Sequence, residues 1–152
     1  MALILNIEST TNICSVAVSE NGKVLALRES DTERAHATLL TVFIEEMLKE
    51  LNITPQEFDA VAVSKGPGSY TGLRIGVSVA KGICYGLTKP LLAVDTLQSL
   101  AYGTSISNDF QQIKNKLSTF FFCPMIDARR MEVYCKLFSH DFQTIDDTQA
   151  MV

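Results

Sequence analysis

Residues 63–76 read VSKGPGSYTGLRIG, an apolar strand that runs through a glycine-proline bend into a helix. Gly66 and Gly68 give the bend backbone freedom, and Pro67 fixes its own φ. The first amide hydrogens of the helix have no partner within it, so they favour an anion or a partner carbonyl. The stretch is neither GxGxxG nor a P-loop. A binding turn and a turn that merely requires glycine both remain open.

Hydrophobic periodicity on either side of this stretch predicts the element order βββαβαβα. This order predicts an α/β fold with a mixed five-stranded sheet, in which an antiparallel meander adjoins parallel strands joined by right-handed crossovers. The predicted elements are strands Leu3–Ile7, Ile13–Val18, Val24–Leu27, Ala60–Val63 and Leu91–Val94, helices His36–Leu51, Thr71–Tyr85 and one from Asp95 or Thr96 to Gly103, and a helical turn at Thr54–Glu57.

The chain turns polar over residues 104–116, which predicts a lobe boundary there. We therefore expect a first lobe at 1–103 and the start of a second lobe at 104–152. Two further strands are predicted, Phe120–Ile126 and Val133–Phe138. No periodic pattern follows His140, so the second lobe is expected to be incomplete.

Composition restricts the class of protein. The 152 residues are 47% hydrophobic, with a net charge of −4 and a pI near 5.1. A chain that binds nucleic acid by itself is usually basic, whereas this chain is acidic. A role in RNA binding would therefore need a basic partner. The four cysteines, Cys14, Cys84, Cys123 and Cys135, lack metal-finger spacing and are expected to be reduced thiols. Without a signal peptide or a membrane-length apolar run, we expect a soluble, cytoplasmic protein.

The turn after the first strand carries Glu8, Ser9 and Thr10, whose hydroxyls and amides would suit a phosphate. Serine and threonine also stabilise ordinary turns through bonds to their own backbone, so both interpretations stay open. His36 and His140 are too far apart in sequence for a local metal cluster, and no metal site is predicted. The candidate nucleotide or phosphate vicinity comprises Glu8, Ser9, Thr10, Gly66, Gly68, Ser69, Tyr70, Thr71 and Arg74.

Two helices have more apolar or small-residue surface than one sheet contact requires. The apolar residues of His36–Leu51 cover close to half of its circumference, whereas a helix on a sheet needs a stripe of about 100°. In the next helix Gly72, Gly76 and Ala80 form a ridge almost without side chains, although glycine costs a helix roughly 1 kcal/mol. Close packing on the chain's own sheet and packing against another protein are both open.

Four stretches together resemble the TsaB (YeaZ) family: ILNIESTTNICSVAVSENG, the helix start HATLL, SKGPGSYTGLRIGVSVAKG and MIDARRMEVYCKLF. The resemblance implies a lobe of the actin-like, Hsp70-like ATPase (ribonuclease H-like) fold. Members of this family continue into a complete second lobe.

The resemblance further implies a non-catalytic, activating subunit of the complex that adds threonylcarbamoyl to the adenosine beside the anticodon of tRNA. Such a subunit pairs with its catalytic paralogue TsaD, and the ATPase TsaE joins them. It forms homodimers when alone and meets tRNA only through the complex. The resemblance implies no cofactor for the subunit itself and leaves open that ATP or ADP binds at the interface with the partner.

Two departures from active relatives support that role. TsaD has an HxxxH pair where this chain has Thr96 and Leu100, and active superfamily members have an aspartate and a glycine in the first loop. The family pairs through the two helices described above, which implies an interface of Leu39, Leu40, Phe43, Met47, Leu73, Gly76, Val77 and Ala80. The alternatives are an ATPase or phosphotransferase that uses Glu8, Ser9, Thr10 and residues 66–74, and, ranked last, a peptidase.

Overall fold

The computed structural model describes residues 1–31 and 36–151, and the side chains of His36 and Ala37 lie outside that description. The chain forms two compact units, Met1–Val94 and Asp95–Val152. The predicted boundary at 103/104 falls within the helix that begins the second unit. The division by contacts therefore lies before this helix rather than after it.

The first unit contains the predicted mixed sheet of five strands. Strands β1 (Leu3–Glu8), β2 (Cys14–Glu20), β3 (Lys23–Ser30), β4 (Ala60–Ser64) and β5 (Leu91–Val94) lie in the order β3-β2-β1-β4-β5. The first three strands pair antiparallel, and β4 runs parallel to both β1 and β5. Side chains alternate along β1 and β2, which places Leu5, Ile7, Val16 and Val18 in the core. The predicted βββαβαβα order is confirmed.

Two helices pack against this sheet, α1 (His36–Leu51) and α2 (Tyr70–Leu87). A 3-10 turn at Pro55–Glu57 precedes β4, as the sequence predicted. The Glu57 carboxylate accepts a bond of 2.6 Å from the Thr54 amide. α2 begins at the glycine-proline bend, where the Ser69 hydroxyl accepts a bond from the Gly72 amide. The start of α2 is therefore positioned directly after the end of β4.

The second unit contains α3 (Thr96–Ile106), α4 (Asn108–Ile113), a 3-10 turn at Lys114–Lys116, and strands β6 (Met125–Arg129), β7 (Glu132–Phe138) and β8 (Thr144–Met151). These strands form a sheet in the order β6-β7-β8. The predicted strand at Phe120–Ile126 was wrong in extent. Phe120 and Phe122 instead pack edge-on in an aromatic cluster with ring centroids 5.6 Å apart, and this packing explains their apolar character.

The predicted end of the third helix at Gly103 was wrong. The polar stretch 104–116 is mainly helical, because α3 continues past Gly103 and the Ser107 hydroxyl caps α4 through the Phe110 amide. The segment after His140 forms β8, in which every residue is exposed. A strand exposed on both faces has no apolar alternation, so its sequence carries no strand pattern.

In the described part of the chain, residues 1–31 and 36–151, no helix combines the length and apolar character needed to span a membrane.

Candidate functional site

The turn after β1 is closed by hydrogen bonds within the chain. The Glu8 carboxylate accepts bonds from the amide and the hydroxyl of Thr10, and its other oxygen accepts a short bond from the Ser64 hydroxyl at the end of β4. The Ser9 hydroxyl donates to the Gly72 carbonyl at 2.8 Å. Ser9 and Thr10 are 2% and 1% exposed. Their polar groups are therefore occupied and shielded from solvent.

The start of α2 lies directly on this turn, and its glycines make the approach possible. A Cβ at Gly68 would lie 2.5 Å from the Thr10 carbonyl oxygen, and one at Gly72 would lie 1.9 Å from the Ser9 carbonyl oxygen. At Gly76 a Cβ would lie 2.2 Å from the Ser9 hydroxyl. The Ser69 amide also donates to the Thr10 carbonyl at 2.7 Å. Of the two interpretations of the glycine ridge, the structure selects packing on the chain's own sheet and first turn.

This arrangement does not fit a phosphate at the first turn. A phosphate needs donors that point into open space, but the hydroxyls of Ser9 and Thr10 already donate to Gly72 and Glu8. The Glu8 carboxylate would also repel an anion there. We therefore exclude Glu8, Ser9, Thr10 and the adjoining Gly68 from the candidate phosphate vicinity, because they form a closed contact between β1 and α2.

The remaining members of that vicinity lie on the outer side of the bend and helix. Tyr70 is 74% exposed, and the guanidinium carbon of Arg74 lies 5.5 Å from the centroid of its ring. Thr71 is exposed as well. Gly66 and Ser69 are half-buried, and Ser69 serves as the helix cap.

A cavity of about 380 Å³ opens on the surface of α2 beside these residues. We call it the α2 cavity; it is lined by Thr71, Arg74, Ile75, Ser78 and Val79. The predicted phosphate vicinity contains Thr71 and Arg74 but not Ile75, Ser78 and Val79. Their spacing from Thr71, four to eight residues on one helix, was the available signal.

The residues predicted for the partner surface fall into a buried group and a half-buried group. Leu40, Met47 and Ala80 are fully buried, and Gly76 lies against Ser9 and Ile7. These four residues belong to the core, because side chains that the sheet already covers offer no surface to a second protein. We therefore remove them from the candidate interface. Four half-buried residues remain, Leu39, Phe43, Leu73 and Val77.

The start of α3 holds Thr96 and Leu100, the two positions that the family resemblance sets against a histidine pair. Thr96 is buried, and its hydroxyl has no hydrogen-bond partner among the described residues. Leu100 is 45% exposed. The neighbouring Asp95 accepts a capping bond from the Gln98 amide and pairs with Lys136 at 3.1 Å. These side chains hold the start of α3 against β7.

Comparison with known proteins gives matching results by sequence and by structure. The family model described as "TsaD: tRNA N6-adenosine threonylcarbamoyltransferase" matches residues 29–151. The tRNA threonylcarbamoyladenosine biosynthesis protein TsaB of Escherichia coli strain K12 is 31% identical over 98% of this chain and 62% of its own length.

The chain belongs to the TsaB (YeaZ) family. The structure of YeaZ from Pseudomonas aeruginosa superposes with a TM-score of 0.77 at 29% identity, over all of this chain and 67% of the other. This likeness confirms the predicted fold class. A protein of Onion yellows phytoplasma named tRNA N6-adenosine threonylcarbamoyltransferase is 34% identical over 70% of this chain and 52% of its own. Relatives of the TsaB family thus include proteins named for the transferase itself.

The chain spans about three fifths of the length of the Escherichia coli TsaB protein.

Proposed function

We propose that this chain is a non-catalytic subunit in tRNA threonylcarbamoyladenosine biosynthesis and that it acts by binding a TsaD-like paralogue. The closed first turn carries this proposal. The ATPase or phosphotransferase alternative would use Glu8, Ser9 and Thr10. Glu8 instead bonds to Thr10 and Ser64, and Ser9 bonds to Gly72 of α2. Because the polar side chains of this turn bond to other residues of the same chain, the structure supports a role in binding another protein rather than in catalysis.

The proposed contact surface is the outer part of α1 and α2. On α2 it has two parts that flank the buried ridge of Gly72, Gly76 and Ala80, with Leu73 and Val77 on one side and the α2 cavity on the other. On α1 it comprises the half-buried Leu39 and Phe43. The exposed Val42 lies on α1, and the half-buried Ile75 and Val79 contribute apolar area in the cavity. An apolar surface of this kind is stabilised by contact with a second protein, because contact removes it from water.

The rest of the assembly follows from the same proposal. With its net charge of −4 this chain reaches tRNA through its partners, because repulsion from phosphate opposes direct binding. A TsaE-like ATPase joins the pair, and any ATP or ADP binds where the subunits meet. In the absence of the paralogue the same surface forms a homodimer.

The test is affinity measurement with the purified TsaD-like paralogue. Ser78 is exposed in the α2 cavity, so Ser78→Glu places a carboxylate on the proposed surface without entering the core. Burying that charge should weaken binding at least about tenfold. Ser99→Glu is the matched control, since Ser99 is an exposed helical serine on α3. Equal binding by Ser78→Glu and the unmodified chain would refute the proposed surface.

A second measurement distinguishes a non-catalytic subunit from an ATPase or phosphotransferase. Isothermal calorimetry and a phosphate-release assay with ATP and Mg²⁺ on the isolated chain should give neither binding nor turnover. Turnover that Glu8→Gln abolishes, in a variant that still folds, would instead establish the ATPase or phosphotransferase alternative.

A further inference from the structure

Sulfur-containing side chains converge on one face of the second-unit sheet. Cys135 lies on β7, the central strand, directly opposite Met125 of β6. Met151 of β8 lies opposite Val133, two residues from Cys135. Side chains two residues apart on a strand share a face, so Met125, Cys135 and Met151 lie on the same face.

Cys123 extends this group beyond the end of β6. Phe122 pairs with Phe138 through two backbone bonds of 2.9 Å, in the same register that pairs Met125 with Cys135. The next residue, Cys123, therefore shares the face of Met125. Phe122 and Phe138 lie on the opposite face, in the aromatic cluster.

Two of these sulfur atoms are in hydrogen-bond contact. The Cys135 thiol donates to the Met151 sulfur at 3.2 Å, and the Cys123 thiol lies on the same face beside Cys135. Burial and this neighbouring thiol raise the pKa of Cys123. Cys135 is 7% exposed, whereas Cys123, Met125 and Met151 are exposed. The group therefore has a shielded centre and an entry path from solvent.

We propose that Cys123, Cys135, Met125 and Met151 form a binding site for Cu(I). Thiolate and thioether are the soft ligands that this ion prefers, whereas Zn²⁺ prefers thiolate, imidazole and carboxylate. Among the described residues no group of three or more His, Cys, Asp or Glu side chains could hold a metal, so the site depends on methionine sulfur.

Binding needs no electron transfer. Each cysteine loses its thiol proton to solvent as its sulfur bonds to copper, and the methionine sulfurs coordinate as neutral donors. Copper remains Cu(I) throughout, and no disulfide forms.

The experiment is an anaerobic titration of the fully reduced 152-residue chain with Cu(I), in competition with the chromogenic chelator bicinchoninate. One equivalent of Cu(I) should bind, with a thiolate-to-copper absorption band in the ultraviolet. Cys123→Ser and Met151→Leu change exposed residues and should each weaken binding at least about tenfold, since even changes around a metal's ligands commonly cost 10–100-fold. Cys84→Ser is the control, because Cys84 is a buried thiol in the first unit.

Three results would overturn the proposal. The first is unchanged affinity in both Cys123→Ser and Met151→Leu, which would place copper elsewhere. The second is an equal loss of affinity in Cys84→Ser. The third is stronger binding of Zn²⁺ than of Cu(I) in parallel titrations. X-ray absorption that counts more than two sulfur ligands around copper would confirm the contribution of methionine. None of these measurements depends on the TsaD-like partner.

Discussion

The carbonyl oxygen of Ser9 occupies the space in which a side chain at Gly72 would lie. A Cβ at position 72 would lie 1.9 Å from that oxygen, which is well inside any contact that a real Cβ makes. The first turn and the start of α2 are therefore tightly packed against each other.

Gly72→Ala should lower the free energy of unfolding by about 1–3 kcal/mol or more, because the backbone of one element must move. Gly82→Ala in the same helix is the control, since nothing lies within 4 Å of a Cβ there. That control should raise stability by about 0.4–1 kcal/mol. Urea unfolding followed by circular dichroism measures both, as the chain has no tryptophan. Equal effects of the two substitutions would contradict the close packing.

Ser9→Ala should lower the free energy of unfolding by about 1 kcal/mol, because the buried bond to the Gly72 carbonyl is lost. Ser78→Ala, on the exposed surface of α2, should stay within about 0.5 kcal/mol of the unmodified chain. Thermal unfolding distinguishes the two. If Ser9→Ala is as stable as Ser78→Ala, the hydroxyl is free to serve a ligand.

The Asp95–Lys136 pair should show coupling in a double-mutant cycle. Both side chains are 14% exposed, so Lys136→Met leaves a largely buried carboxylate without its cation and should destabilise the second unit by roughly 2–3 kcal/mol. Asp95→Asn keeps a side chain that can cap α3. The combined variant should therefore lose less stability than the sum of the two single changes. Additive losses would show that the pair contributes no interaction of its own.

Adjacent phenylalanines offer a matched test of the second-unit core. Phe122 is 6% exposed and stacks on Phe142 with ring centroids 5.4 Å apart, whereas Phe121 is 57% exposed. Phe122→Ala should cost about 3–5 kcal/mol, and Phe121→Ala under about 0.5 kcal/mol. Amide hydrogen exchange across residues 95–151 reports both changes. A large effect of Phe121→Ala would instead place that side chain in a contact outside this unit.

Much of the fold was predictable because its signals are local. Alternation along Leu3–Glu8, helical spacing along His36–Leu51, and the glycine-proline bend before Tyr70 each depend on neighbours in the sequence. The polar stretch before Lys116 and the exposed β8 were missed for the same reason. Their structure depends on the Ser107 cap of α4 and on the backbone pairing of β8 with β7, and neither interaction leaves an apolar period in the sequence.

The amino-acid sequence by itself determined the order of the elements through α3, the family and the positions where glycine is required. Only the tertiary structure decided what those positions do. The same Gly72 and Gly76 suit a partner helix or the chain's own first turn, and the choice depends on where the Ser9 backbone lies. Likewise, Leu40 and Phe43 are both apolar positions of α1, but only the packed sheet determines that Leu40 is fully covered while Phe43 stays partly accessible. Spacing along a helix gives relative angles, whereas burial depends on which side the rest of the chain occupies.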